Sequence, residues 1–150
     1  MHRNPTHDDA RLILELFEAR REPRLREARD WFVRSLAVES LDDLDRVCPR
    51  GSTENASFRM VIGYWDMVAS FVANEVLHRE LFFESGQEML LVWEKVKKIV
   101  VPMRERSGNP MALRNLERVS KAYLEWLDAH APDFYPRWSA AIAALASPKG

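Results

Sequence analysis

Glu75 and His78 stand three residues apart in Glu75-Val76-Leu77-His78. On a helix this spacing places a carboxylate and an imidazole on one face, as in carboxylate-bridged di-metal bundles. Such centres need two of these motifs and two further glutamates. His130 has Leu127 at the corresponding position, and His2 and His7 lie close to the amino terminus. A metal site at Glu75 and His78 is therefore a secondary reading, and a second copy of the chain would have to supply the missing ligands. A second constellation is Asn55, Arg59, Asp66 and Ser70. If residues 54–77 form one helix, these side chains fall with Gly63 and Asn74 on one arc of about 100°. The arc is either a strip facing solvent or a polar groove joining Arg59 and Asp66 to other helices. Gly63 between them would let a backbone or ligand come close. This arc is the first candidate for a site.

The other patterns are weaker. Cys48-Pro49 occurs as a haem-ligating dipeptide in some regulatory proteins, but it reads first as a helix stop. Gly51-Ser52-Thr53 opens a helix whose N–H groups can hold an anion, although capping is the simpler use. The sequence contains no Gly-x-Gly-x-x-Gly, Walker, Gly-x-Ser-x-Gly or His-Glu-x-x-His pattern. Catalysis is disfavoured on that ground, and no cofactor is implied.

Charge is uneven along the chain. The net charge is −1, but 12 basic and 17 acidic side chains precede Met89, and 8 basic and 4 acidic ones occupy residues 89–125. The basic face comprises Lys95, Lys98, Arg104, Arg114 and Arg118. It is a candidate for nucleic-acid phosphates. Glu94 with Lys97 and Lys98, and Glu117 with Lys121, stand at helical pairing distance, which argues for a solvated or self-complementary face instead. Nucleic acid is the disfavoured partner.

The elements that must position these groups read as helices throughout. Thr6 with Asp9 resembles a capping box for a helix reaching Arg20. Pro23 begins a second helix with Leu25, Ala28, Trp31, Phe32 and Leu36 at inward spacing. Ser40 and Asp43 cap a short third helix over Leu41 to Val47, which Pro49 and Gly51 end. A long helix follows from about Glu54 to Leu77, apolar on roughly two-thirds of its surface, and is expected at the centre of the core. Ser85 with Glu88 reads as a capping box for a helix that Pro102 kinks or ends. Asn109-Pro110 reads as the start of the next helix, through Leu127. A last segment, 133–146, is Ala-rich and interrupted by Pro136. The expected fold is all-α: a compact bundle of five to seven helices around a long central helix. It forms one domain over residues 1–150, with 1–6 and 147–150 frayed.

At 150 residues, 47% hydrophobic, the chain is long enough for one real core. One cysteine excludes an intrachain disulfide. The most apolar stretch, 56–73, is interrupted by Arg59 and Asp66, a poor membrane span. No signal or lipidation motif follows Met1. These features point to a cytoplasmic protein with no membrane contact. The adjacent aromatics Trp31-Phe32, Phe82-Phe83 and Phe134-Tyr135 cannot all point inward on regular helices, so an exposed aromatic patch and a homodimer are expected.

Two stretches, Leu16 to Phe32 and Val47 to Arg106, resemble small bacterial all-helical proteins of an uncharacterised domain-of-unknown-function family. The resemblance rests on Trp65-Asp66 in a buried helix, a loop with Leu81 and Phe82, then Trp93 and Arg104, and covers about half the chain. It implies a helical cytoplasmic domain without assigned activity and transfers no catalytic residue. Some members carry a membrane anchor, which is not expected here. The combined reading is a self-associating protein-interaction or regulatory module. Alternatives are a metal- or small-molecule-dependent enzyme using Glu75 and His78, and nucleic-acid binding through residues 89–125.

Overall fold

The computed structural model describes residues 3–145, so the expected fraying of 147–150 lies outside the described residues. Among these residues the chain is all-helical: α1 (His7–Ala19), α2 (Pro23–Ser35), α3 (Leu41–Val47), α4 (Thr53–Ala73), α5 (Arg79–Phe83), α6 (Gln87–Val96), α7 (Val100–Ser107), α8 (Arg114–His130) and α9 (Phe134–Leu145). Five to seven helices are expected and nine are present among the described residues, because α5 forms where a loop is expected and the helix expected after Ser85 is broken into α6 and α7.

The first three helices start where the side chains say they should. Thr6 Oγ1 accepts from the Asp9 N–H, and the Asp9 carboxylate accepts from the Thr6 N–H, closing the capping box of α1. Pro23 occupies the first turn of α2, where its missing N–H leaves no bond unmade. Ser40 caps α3 through the Asp43 N–H.

α4 stops at Ala73, four residues before the expected end. Glu75 adopts a left-handed conformation (φ 61°), the Glu75 N–H donates to the Val72 carbonyl at 3.1 Å, and the Val76 N–H donates to the Phe71 carbonyl at 2.9 Å. This is a Schellman stop without the usual glycine, so the sequence gives no warning of it. The turn carries Leu77 into complete burial and starts α5 in a new direction.

The Ser85–Glu88 capping box does not form. Gly86 is the residue before α6, without a side-chain cap. A Cβ there would come within 2.5 Å of the Phe82 ring, so only glycine permits this approach. Glu88 instead receives Arg29 in a two-pronged ion pair at 2.7 Å. The chain breaks helix over residues 97–99 and restarts at Val100. Pro102 and Pro136 each sit third in a helix, where the N–H has no intrahelical partner, so neither interrupts its own helix. Asn109-Pro110 forms a turn, with Asn109 Oδ1 accepting from the Met111 N–H at 3.0 Å. α8 begins only at Arg114, after Leu113 in the left-handed region (φ 54°).

α4 packs against α2, α8, α6 and α5, and α9 packs on α8. Phe32 stacks on Phe58 (ring centroids 6.1 Å apart) and Phe83 stacks on Tyr123 (4.5 Å). The paired aromatics expected at the surface are largely internal. α5 is short enough for both Phe82 and Phe83 to be buried between neighbours, and Trp31 is half-buried edge-on to Phe32.

Candidate functional site

The polar arc of α4 is divided among three tasks. At its amino-terminal end, Asn55 Nδ2 donates to the Cys48 carbonyl (3.3 Å) and Asn55 Oδ1 accepts from Arg59 Nε (3.0 Å). Asn55 thus ties the turn after α3 to α4 and holds the Arg59 side chain over that turn. In the middle, Asp66 Oδ1 accepts from the Leu116 N–H at 2.9 Å. Leu116 is the third residue of α8, the position a capping side chain normally serves, and the Leu113 side chain before the helix has no oxygen to offer. Asp66 therefore caps α8 from a different helix and places a carboxylate at its positive end. Ser70 donates to the Met67 carbonyl of its own helix at 2.5 Å and joins no other element.

Asn55 and Arg59 border a cleft of about 800 Å³ between α3, the 48–51 turn, the first half of α4, and α7. Leu44, Cys48, Phe58, Ile62 and Met103 contribute its apolar surface. Three arginines line it. Arg50 is exposed and has no partner among the described residues. Arg59 is exposed and bonded only to Asn55, and Arg106 pairs with Asp45 at 2.8 Å, both half-exposed. The lining carries one carboxylate, Asp45, against these three guanidinium groups. Cys48 is buried, and burial, with Glu54 nearby, pushes its thiol up to about 11, so it is a neutral apolar group rather than a thiolate at pH 7.

Glu75 and His78 do not share a helical face. Glu75 sits in the left-handed turn and His78 is the N-cap of α5, its Nδ1 accepting from the Leu81 N–H at 3.1 Å while Nε2 lies 2.8 Å from the Arg3 carbonyl. Both ring nitrogens are occupied. The two side chains border a cavity of about 150 Å³ with Arg3. Among the described residues no group of three or more His, Cys, Asp and Glu is placed to hold a metal ion. Beside His78 lies a cluster the sequence did not announce. Asp9 is buried, 2% exposed, and accepts from the Arg3 guanidinium at 2.6 Å through both oxygens, from Thr6, and from the His78 N–H at 2.9 Å. Residues 3–6, expected to fray, are held by this cluster. The Arg3 pairing and the backbone bonds outweigh burial and hold the Asp9 carboxyl far below the usual carboxylate range.

The basic face is consumed largely within the chain. Lys98 pairs with Glu39 and Arg104 with Glu117, each at 2.9 Å, and Arg104 Nε donates to the Ala112 carbonyl. Lys95 Nζ donates to the Leu36 carbonyl at 2.7 Å. Arg114 contacts Met111 Sδ, and Arg118 is exposed. The acidic first part of the chain thus meets the basic stretch inside one molecule, at Glu39–Lys98 and Asp45–Arg106. Sequence reading missed Arg50, Asp45 and Arg106, which reach the cleft from three separate elements at no common spacing.

No helix among the described residues is long and apolar enough to cross a membrane. The sequence model of a domain of unknown function, DUF4760, matches residues 5–126. That span is most of the chain, which belongs to this family, and the likeness read from two stretches extends well beyond them. No curated protein and no solved structure matches.

Proposed function

We propose that this member of the DUF4760 family is a protein-interaction module whose α3–α4–α7 cleft receives an acidic, amphipathic segment of a partner protein. The observation that carries the reading is the combination of an apolar cleft surface with Arg50, Arg59 and Arg106 along it. Exposed guanidinium groups with no carboxylate partner, as at Arg50 and Arg59, steer an acidic segment and set its register more than they add raw affinity. Leu44, Phe58, Ile62 and Met103 then bury its apolar side chains. Beyond Arg59 the exposed face of α4 continues through Gly63, where no atom lies within 4 Å of a would-be Cβ, to the exposed Met67. A partner helix can come close to α4 there.

A regulatory role follows if the partner's activity changes on docking, and self-association follows if the acidic segment belongs to a second copy. The test is fluorescence anisotropy with a labelled amphipathic peptide bearing glutamates on its polar face, against the same peptide with lysines. The acidic peptide is expected to bind more tightly, with affinity falling as salt rises and about tenfold weaker for Arg59→Glu. Equal binding of the two peptides, or none, overturns the reading. Sedimentation equilibrium on the chain alone identifies a second copy as the occupant if Arg59→Glu dissociates a dimer.

A further inference from the structure

A second cleft, of about 520 Å³, lies between residues 36–39, α6 and α9. Four cations line it, and three have carboxylate partners. Arg46 pairs with Asp43, Lys97 with Glu94 and Lys98 with Glu39, each at 2.9 Å. Lys95 is the exception: its ammonium is half-buried, and its only partner among the described residues is the Leu36 carbonyl. That bond uses one of three N–H donors. An ammonium drawn out of water with no counter-ion is unfavourable, and an arriving anion relieves this. Burial lowers the Lys95 amine below its ordinary value, and no neighbouring charge offsets it.

The remaining chemistry selects the anion. With the other three cations matched by carboxylates, the cleft presents one uncompensated positive charge. A single negative charge fits it, whereas a dianion would meet Glu39, Asp43 and Glu94 without a second free cation. Ala37, Val38 and Ile142 add apolar surface in the same cleft. We infer that this cleft binds a small organic monocarboxylate with a short aliphatic chain, its carboxylate serving as the counter-ion of Lys95.

Binding there also bears on α9. That helix buries none of its residues and lies beyond the part of the chain that matches the family. Besides packing on α8, it is tied to Glu94, which accepts from Tyr135 Oη and Ser139 Oγ at 2.7 Å and from Lys97 Nζ at 2.9 Å. A carboxylate seated between Lys95 and α9 adds a contact to this seam, so the bound acid steadies the helix.

The experiment titrates the full chain with sodium hexanoate, 1-hexanol and inorganic phosphate by isothermal calorimetry, with amide hydrogen exchange followed over 134–145. Hexanoate is expected to saturate and to slow exchange in α9, and both alcohol and phosphate to bind at least about tenfold more weakly. Lys95→Met should lose hexanoate binding and Lys95→Arg should retain it. Circular dichroism on both variants separates loss of binding from loss of fold, and Arg59→Glu should leave the hexanoate titration unchanged. Undiminished binding to a folded Lys95→Met, equal binding of the alcohol, or no saturable hexanoate binding overturns the assignment. Loss of hexanoate in Arg59→Glu alone places the acid in the α3–α4–α7 cleft and also overturns it. Failure of the acidic peptide in the other cleft leaves this outcome untouched, because the two clefts share no residue.

Discussion

The corner around Asp9 and the α3–α4–α7 cleft both gather charge, and they use it oppositely. At Asp9 a buried carboxylate is surrounded by donors from Arg3, from Thr6 at the cap of α1 and from His78 in the α4–α5 turn, and the last of these joins segments 69 residues apart. In the cleft, Arg50 and Arg59 remain exposed and engage one neutral side chain between them. Charge that is buried and fully bonded serves the fold. Charge that is exposed and unmatched is available to a partner, because it keeps its hydration until something displaces it.

The contrast breaks first at Asp9. Asp9→Ala removes the acceptor for Arg3, Thr6 and His78 together, and is expected to cost about 3 kcal/mol in urea unfolding, at roughly 1 kcal/mol per lost partner. The same corner sets a pH dependence. The native Asp9 carboxyl is depressed relative to an unfolded value of about 4, so its contribution is present above that pH. It is lost as pH falls from there through the native value. The unfolding free energy should therefore fall less steeply with pH below about 4 in Asp9→Asn, measured by urea unfolding at a series of pH values with circular dichroism.

Asp66 comes next. It lies on the same helical arc as Arg59 but belongs with Asp9 in kind, since it closes the start of α8. Asp66→Ala should destabilise by about 1–2 kcal/mol, the range of a lost N-cap, without weakening the acidic peptide. Glu75→Gly tests the helix stop that separates Glu75 from His78. Replacing an L-residue at φ 61° is expected to stabilise by about 1 kcal/mol, read from the denaturation midpoint. Smallest in stability are Arg50→Ala and Arg59→Ala, each within about 0.5 kcal/mol of the parent. Both should nevertheless weaken the acidic peptide. A large stability loss from either arginine would erase the distinction between the two regions.

Much of the helical punctuation was legible. Thr6–Asp9, Pro23 and Ser40–Asp43 act within one turn of chain, where capping chemistry decides locally. Ser85–Glu88 and Asn109-Pro110 carry the same kind of signal and were overridden. Glu88 finds Arg29, 59 residues away, and Gly86 must sit against Phe82. A side chain with a strong distant partner leaves its local role. The two halves of the arc on α4 were legible as positions but not as functions. Periodicity places Arg59 and Asp66 on one face without saying that α8 would arrive at one and a cleft at the other.

Composition and periodicity by themselves determined an all-helical chain with a core built around apolar stripes, because the helical repeat and the first-turn caps are properties of a few neighbouring residues. Tertiary structure alone decided where charge ends. It pairs the acidic first part with the basic stretch at Glu39–Lys98 and Asp45–Arg106, buries Asp9, and leaves Lys95, Arg50 and Arg59 without carboxylate partners among the described residues. The reason is physical: an ion's partner and its hydration depend on which segments fold beside it, and neither quantity has a period in the sequence.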